Sequence, residues 1–216
     1  MPMDLIVVWG AGGHAKVVAQ SLRRERRWRV HGFIDDLNPG RARETLGGSV
    51  VLGGRDALAG AQGSGVGDLA LAFGSNSARL ALGAEYGALG WRFPAIIDPH
   101  AIVADDVVLG EGSYVAAGAV VQPGARIGSQ VIINTGAIVE HDCRVADGVH
   151  MCPRACLAGH AEVGRGAWVG AGALVREGVK VGAGAFVGIG ALVVADVEPG
   201  WMVYGHPARP IRKAQA

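Results

Sequence analysis

A six-residue period runs through the second half of the chain and constrains its fold more than any other feature. Stepping by six from Ile97 reaches an aliphatic residue or Met at every position as far as Val193, with no insertion. Four places after each stands a small residue, as at Ala119, Ala137, Cys143, Ala161 and Ala185. Neither a 3.6-residue helix nor a two-residue strand has this period. It fits the flat side of a triangular solenoid, a short strand and then a turn, with the large residue inward and the small one filling the corner. Three hexapeptides close one coil, and coils stack about 4.8 Å apart like parallel strands. Glycine recurs at turn positions such as Gly110, Gly112, Gly164, Gly166, Gly170 and Gly172, where a positive φ or a close approach between coils favours it.

The period also predicts columns, because residues eighteen apart lie above one another. One outward column reads Arg126, Arg144, Glu162, Lys180, a second Ile132, His150, Trp168, Phe186, and a third Ile138, Cys156, Leu174, Leu192. One outer face is thus polar and two are apolar. Apolar ridges of this length mark an interface or a groove, and a homotrimer using two faces of each subunit would bury them.

The first 95 residues have a different grammar. Leu5–Trp9 reads as a strand running into Gly10-Ala11-Gly12-Gly13-His14 and a helix, and Val30–Ile34 reads as a second strand ending in Asp35-Asp36. This β-α-β unit has the glycine turn of dinucleotide-binding folds, with an acidic pair about twenty residues on. Glycines admit a phosphate to the helix N-terminus, and the carboxylates can meet ribose or base donors. Leu69–Phe73 reads as another strand, followed by a helix opened by Gly74-Ser75-Asn76. The module ends too soon for the second half of an NAD fold, so a mononucleotide or nucleotide sugar suits it better.

Composition narrows the function. The formal net charge of +1 removes the electrostatic argument for nucleic acid or an anionic membrane. No apolar run reaches the roughly 18 residues of a membrane span, and the segment from Met1 to Val8 lacks the basic start of a signal peptide. Cys143, Cys152 and Cys156 follow no zinc spacing and read as reduced thiols of a cytoplasmic protein. Cys143 falls in the small inward register and is expected in the core.

With both halves read, the GAGGHAKVV opening, the FIDD strand end, the AFGSN loop, the NTGAIVEHDC segment and the terminal YGHPARPIRK resemble one family. It comprises the hexapeptide-repeat sugar acetyltransferases, both the nucleotide-sugar 4-amino N-acetyltransferases and the sialic acid O-acetyltransferases. The resemblance spans essentially the whole chain. It implies a Rossmann-like nucleotide-sugar-binding domain over 1–95 and a left-handed parallel β-helix acetyltransferase domain with a C-terminal tail over 96–216. It also implies a homotrimer, acetyl-CoA as co-substrate and no metal. In that family a histidine acts as general base beside an acidic residue that raises its basicity, roles that map onto His141 and Asp142. Some members have Glu where Asp142 stands. Acetyl-CoA contacts map onto His150, Gly159, Ala171 and Ile189, and nucleotide-sugar contacts onto Gly12, Gly13, His14, Asp35, Asp36 and Gly74.

The columns agree with part of this assignment. His141 and Gly159 are eighteen apart and so lie on one vertical line, while Pro153, Ala171 and Ile189 form a second along which a pantetheine arm could run. The Gly159 amide, one coil from the base, is the candidate donor to a tetrahedral oxyanion. His160 and His206 read as turn residues. An amine and a hydroxyl acceptor leave the same trace in sequence, so N- and O-acetylation stay open, as does a non-catalytic solenoid that only binds. A carbonic-anhydrase-type metal enzyme would need three histidines such as His141, His150 and His160 to converge across an interface, and the N-terminal module argues against it.

Overall fold

The computed structural model describes residues 3–213. It opens with β1 (Asp4–Trp9), α1 (Gly13–Glu25), β2 (Trp28–Ile34), β3 (Thr45–Leu46), β4 (Ser49–Gly53), α2 (Ala57–Gly63), β5 (Asp68–Leu71) and α3 (Asn76–Ala88). The sheet order is β3-β4-β2-β1-β5, parallel apart from the β3–β4 hairpin. The hairpin and α2 follow from none of the sequence signals above. The strand order reverses beside β1, between α1 and α3, and a crevice opens there at the carboxyl ends of β1 and β5. Fully buried Ile6, Val8, Phe33 and Leu22 form the centre of this layer.

Seventeen two-residue strands follow, from Ile96–Ile97 to Leu192–Val193. Each pairs in parallel with the strand one coil away, as in Arg126↔Arg144↔Glu162↔Lys180 and Ile132↔His150↔Trp168↔Phe186. The three columns read from the sequence are therefore the three sheets of a triangular parallel β-helix. Its interior is the aliphatic register with the small register between, and Val139, Cys143, Leu157, Ala161 and Val175 are fully buried. The antiparallel hairpin Trp201–Gly205 and Ala208–Lys213 closes the last coil.

The turn glycines divide into two kinds. Gly112, Gly166 and Gly172 have φ near +66°, which L side chains resist. Gly164 and Gly170 do not, but a Cβ on either would lie 2.5–2.6 Å from the backbone of the next coil.

The two parts share a packed seam. Asp98, fully buried, accepts from Ser21 Oγ at 2.6 Å, from Arg24 Nη1 at 3.1 Å and from the His100 amide at 2.9 Å. Arg79, 1 % exposed, donates to Gln130 O and Gly148 O, and Asn76 Nδ2 to Gly166 O and Ala167 O. Tyr114, Ile132 and His150 are buried as a result. This corrects the expectation that both apolar faces wait for a neighbouring subunit. The lower coils of the Ile132–His150 face are covered by the chain's own N-terminal module. The Ile138–Cys156–Leu174 face stays open, with Ile102 68 % and Leu174 43 % exposed.

Candidate active site

His141 and Asp142 occupy the corner between the Ile138 and Arg144 strands, at the vertex opposite the docked face. His141 Nδ1 lies 2.9 Å from Asp142 Oδ2, and both side chains are 53 % exposed. The carboxylate accepts from Nδ1–H, so Nε2 is left as the lone-pair nitrogen. That bond, with smaller contributions from nearby acids, raises the His141 pKa, while the same bond lowers that of Asp142. Gly159 is buried directly beneath the ring, and a Cβ there would come within 2.7 Å of His141 Nε2. Its amide donates to no backbone carbonyl among the described residues. A base, its orienting carboxylate and a free N–H thus meet at one corner, as general-base acyl transfer requires.

His160 belongs to this corner and is more than a turn residue. Its Nε2 is 3.8 Å from Asp142 Oδ2 and its ring centroid is 5.1 Å from that of His141. Asp142 (φ 59) and His160 (φ 56) hold left-handed backbone where most turns have glycine. That register was the available signal, because a functional side chain is one reason to tolerate such a φ.

The four residues matched to acetyl-CoA fall apart in a single chain. Gly159 lies under His141. Ala171 and Ile189, the latter 78 % exposed, share the next corner with Pro153. His150 is 6 % exposed on the docked face, its Nε2 3.1 Å from Asn134 Nδ2 and its ring 4.4 Å from Trp168. Since Asn134 donates, His150 carries its proton on Nδ1. Burial, then Arg79, then His14 lower its pKa to about 3. His14 lies 6.4 Å away and is lowered to about 4 by burial and Arg79. Both rings are neutral at physiological pH.

The residues matched to the nucleotide sugar do converge. Gly12, Gly13, His14, Asp35, Asp36 and Gly74 all line one crevice of about 600 Å³ at the strand-order reversal. Gly12 and Gly13 open α1 with exposed backbone and no side-chain cap, and Ser75 caps α3 by accepting from Ala78 N. The acidic pair is not free. Asp35 accepts from Arg41 at 2.8 Å and Asp36 is paired with Arg55, a bond that lowers the Asp36 pKa. Arg41 and Arg55 line the crevice too, and sequence spacing gave no sign of either.

The family described as the PglD N-terminal domain matches residues 5–85. Over nearly its whole length the chain is similar to the acetyltransferase domain of PglB from Neisseria gonorrhoeae. Identity is 36 %, coverage 96 % of this chain and 100 % of that one, and the TM-score 0.90. That domain has also been solved with acetyl coenzyme A. The chain is likewise 38 % identical to PerB from Caulobacter crescentus, solved with CoA and GDP-perosamine, covering 98 % of this chain and 99 % of that one with a TM-score of 0.91. The chain belongs to the hexapeptide-repeat sugar N-acetyltransferases. No curated protein sequence matches it. By that membership the chain is an acetyltransferase. None of its helices, among the described residues, is long and apolar enough to cross a membrane.

Proposed function

We propose that the chain transfers acetyl from acetyl-CoA to the amino group of a nucleotide-linked 4-amino-deoxysugar, feeding surface glycan synthesis in the cytoplasm. The observation that carries this reading is the His141–Asp142 pair laid over Gly159. In it, residues 1–95 hold the nucleotide sugar and residues 96–216 carry the transfer. His141 Nε2 takes a proton as the free amine attacks the thioester carbonyl, and Asp142 holds the tautomer and steadies the imidazolium. The Gly159 amide donates to the oxyanion. The tetrahedral intermediate collapses by expelling CoA thiolate, which takes a proton from His141 or solvent. Gly12, Gly13, His14 and Gly74 receive the nucleotide, with Asp35 and Asp36 at its ribose or base and Arg41 and Arg55 within reach of its phosphates. The Caulobacter crescentus relative is a perosamine N-acetyltransferase, which favours an amine over a hydroxyl acceptor.

The geometry supports a homotrimer. The crevice stands on one face and the dyad on the opposite vertex, so a sugar held by one chain meets the dyad of a neighbour. Ala171 and Ile189 on one corner and Gly159 on another can then flank one coenzyme from two subunits, burying the open Ile138–Leu174 face. His150 touches that coenzyme only from beneath the module.

The test is release of CoA thiol from acetyl-CoA with UDP-, dTDP- and GDP-linked 4-amino-deoxysugars, native protein against His141→Ala. Turnover on one nucleotide class, lost in the variant, supports the reading and names the nucleotide. No turnover on any amino sugar refutes it and points to hydroxyl acceptors or to a binding solenoid.

A further inference from the structure

The corner that carries His141 holds a third donor that the proposed reaction does not use. His160 Nε2 faces the same Asp142 oxygen that holds His141, at 3.8 Å against 2.9 Å for His141 Nδ1. One ligand atom from each of His141, Asp142 and His160 lies within 4.8 Å of the others. A tetrahedral ion with bonds of roughly 2.1 Å sets its ligand atoms about 3.4 Å apart, between the two separations found here. Two imidazoles and one carboxylate, with further positions open to solvent, form a set that Zn²⁺ accepts. All three side chains are exposed and reachable.

The arrangement is also pre-organised. Asp142 and His160 hold left-handed backbone on successive coils, at turn positions where Gly124 and Gly178 stand one coil below and one above. A non-glycine residue there costs roughly 1–2 kcal/mol; Gln130 and Arg154 bear it singly at the other two corners, and among the described residues it recurs in adjacent coils at this corner alone. The His160 amide donates to His141 O at 3.0 Å, tying the two turns together. Arg126, Arg144 and Glu162 border the same depression, and the excess of positive charge on that rim disfavours a cation, which makes the site a weak, reversible one.

We propose that His141, Asp142 and His160 form a binding site for a divalent transition-metal ion of the Zn²⁺ type, whose occupancy silences the general base. An ion takes the Nδ1 lone pair only in the other tautomer, so the ring's single proton moves from Nδ1 to Nε2. That nitrogen then has no lone pair to accept a proton from the sugar amine. Binding stands on the geometry alone, while silencing rests on the proposed reaction.

The test titrates the chelator-treated, untagged full chain with Zn²⁺, and with Co²⁺ for its visible spectrum. Expected are one ion per chain, the absorption bands of a four- or five-coordinate Co²⁺, acetyl transfer falling in step with occupancy, and recovery on adding EDTA. His160→Gly puts into the left-handed turn the residue it otherwise holds, so the variant keeps its fold. It is expected to weaken Zn²⁺ binding by at least about tenfold, and Asp142→Asn to do the same through a second ligand. No binding to the native chain, or binding unchanged in both variants, overturns the proposal. Ligand-dependent binding in a chain that transfers no acetyl to any sugar leaves the metal site standing and removes the proposed reaction instead.

Discussion

His141 and His150 belong to the same coil, yet their surroundings push them in opposite directions. His141 stands on an open corner, where Asp142 raises its pKa above the ordinary value of 6.5. His150 stands under the N-terminal module, where burial leads the fall to about 3, and His14 facing it falls to about 4. One ring is set to exchange a proton near neutrality, the other two to stay neutral. The difference lies in what covers each one. A histidine in a solenoid is a reactive group or a packing group according to whether another element is docked on its face.

The largest effect expected from breaking this contrast is at the open corner. His141→Asn removes the base and should lower kcat by about 10²–10⁴, read as CoA thiol release, with the melting temperature unchanged. Gly159→Ala sharpens the point. Its backbone accepts a Cβ but the His141 ring does not, so turnover should drop roughly 10²-fold in a chain that still melts like the native one. If both activity and stability hold, the ring is not set by Gly159. On the covered side, Asp98→Ala leaves Ser21, Arg24 and the His100 amide without their acceptor and should cost about 3 kcal/mol, measured by urea unfolding. A loss under about 1 kcal/mol would mean the seam is held by its apolar contacts alone.

The smallest effects are in pH. His14 and His150 are lowered from 6.5, so the stability they confer is complete above about pH 6.5 and is lost as pH falls towards 4 and 3. His150→Gln should flatten that slope in thermal melts. The His141 pKa is raised, so the acid limb of kcat/KM should lie above 6.5. Asp142→Asn should move that limb to lower pH and reduce the rate. Asp98, about 2 because its hydrogen bonds outweigh the opposing effect of burial, adds a further loss of stability only between about pH 3.8 and 2.

The solenoid was legible because each register carries one kind of residue, and a single insertion would have destroyed the signal. The nucleotide crevice was legible because glycine turns and strand ends are local. What covers each face was not, because it depends on long-range partners. Arg79 reaches Gln130 O and Gly148 O, Ser21 reaches Asp98, and nothing in the local sequence of either end marks the pairing. His150 therefore reads from sequence as one outward residue in a column, while in the structure it is sealed. Asp35 and Asp36 read as free acceptors because Arg41 and Arg55 come from loops that no period describes.

The unbroken register has one more consequence. The nucleotide module is moored to the early coils by Asp98, Gln130 and Gly148, and the dyad rides on the same shaft. The hexapeptides between Asp98 and His141 therefore fix both the height of the dyad and the side it faces. Adding or deleting eighteen residues between them would shift the dyad up or down by one pitch of about 4.8 Å and keep its bearing. Any change that is not a multiple of eighteen would turn it to another side. Reach between base and sugar can thus vary in this chain only in steps, like a bolt advanced by full turns.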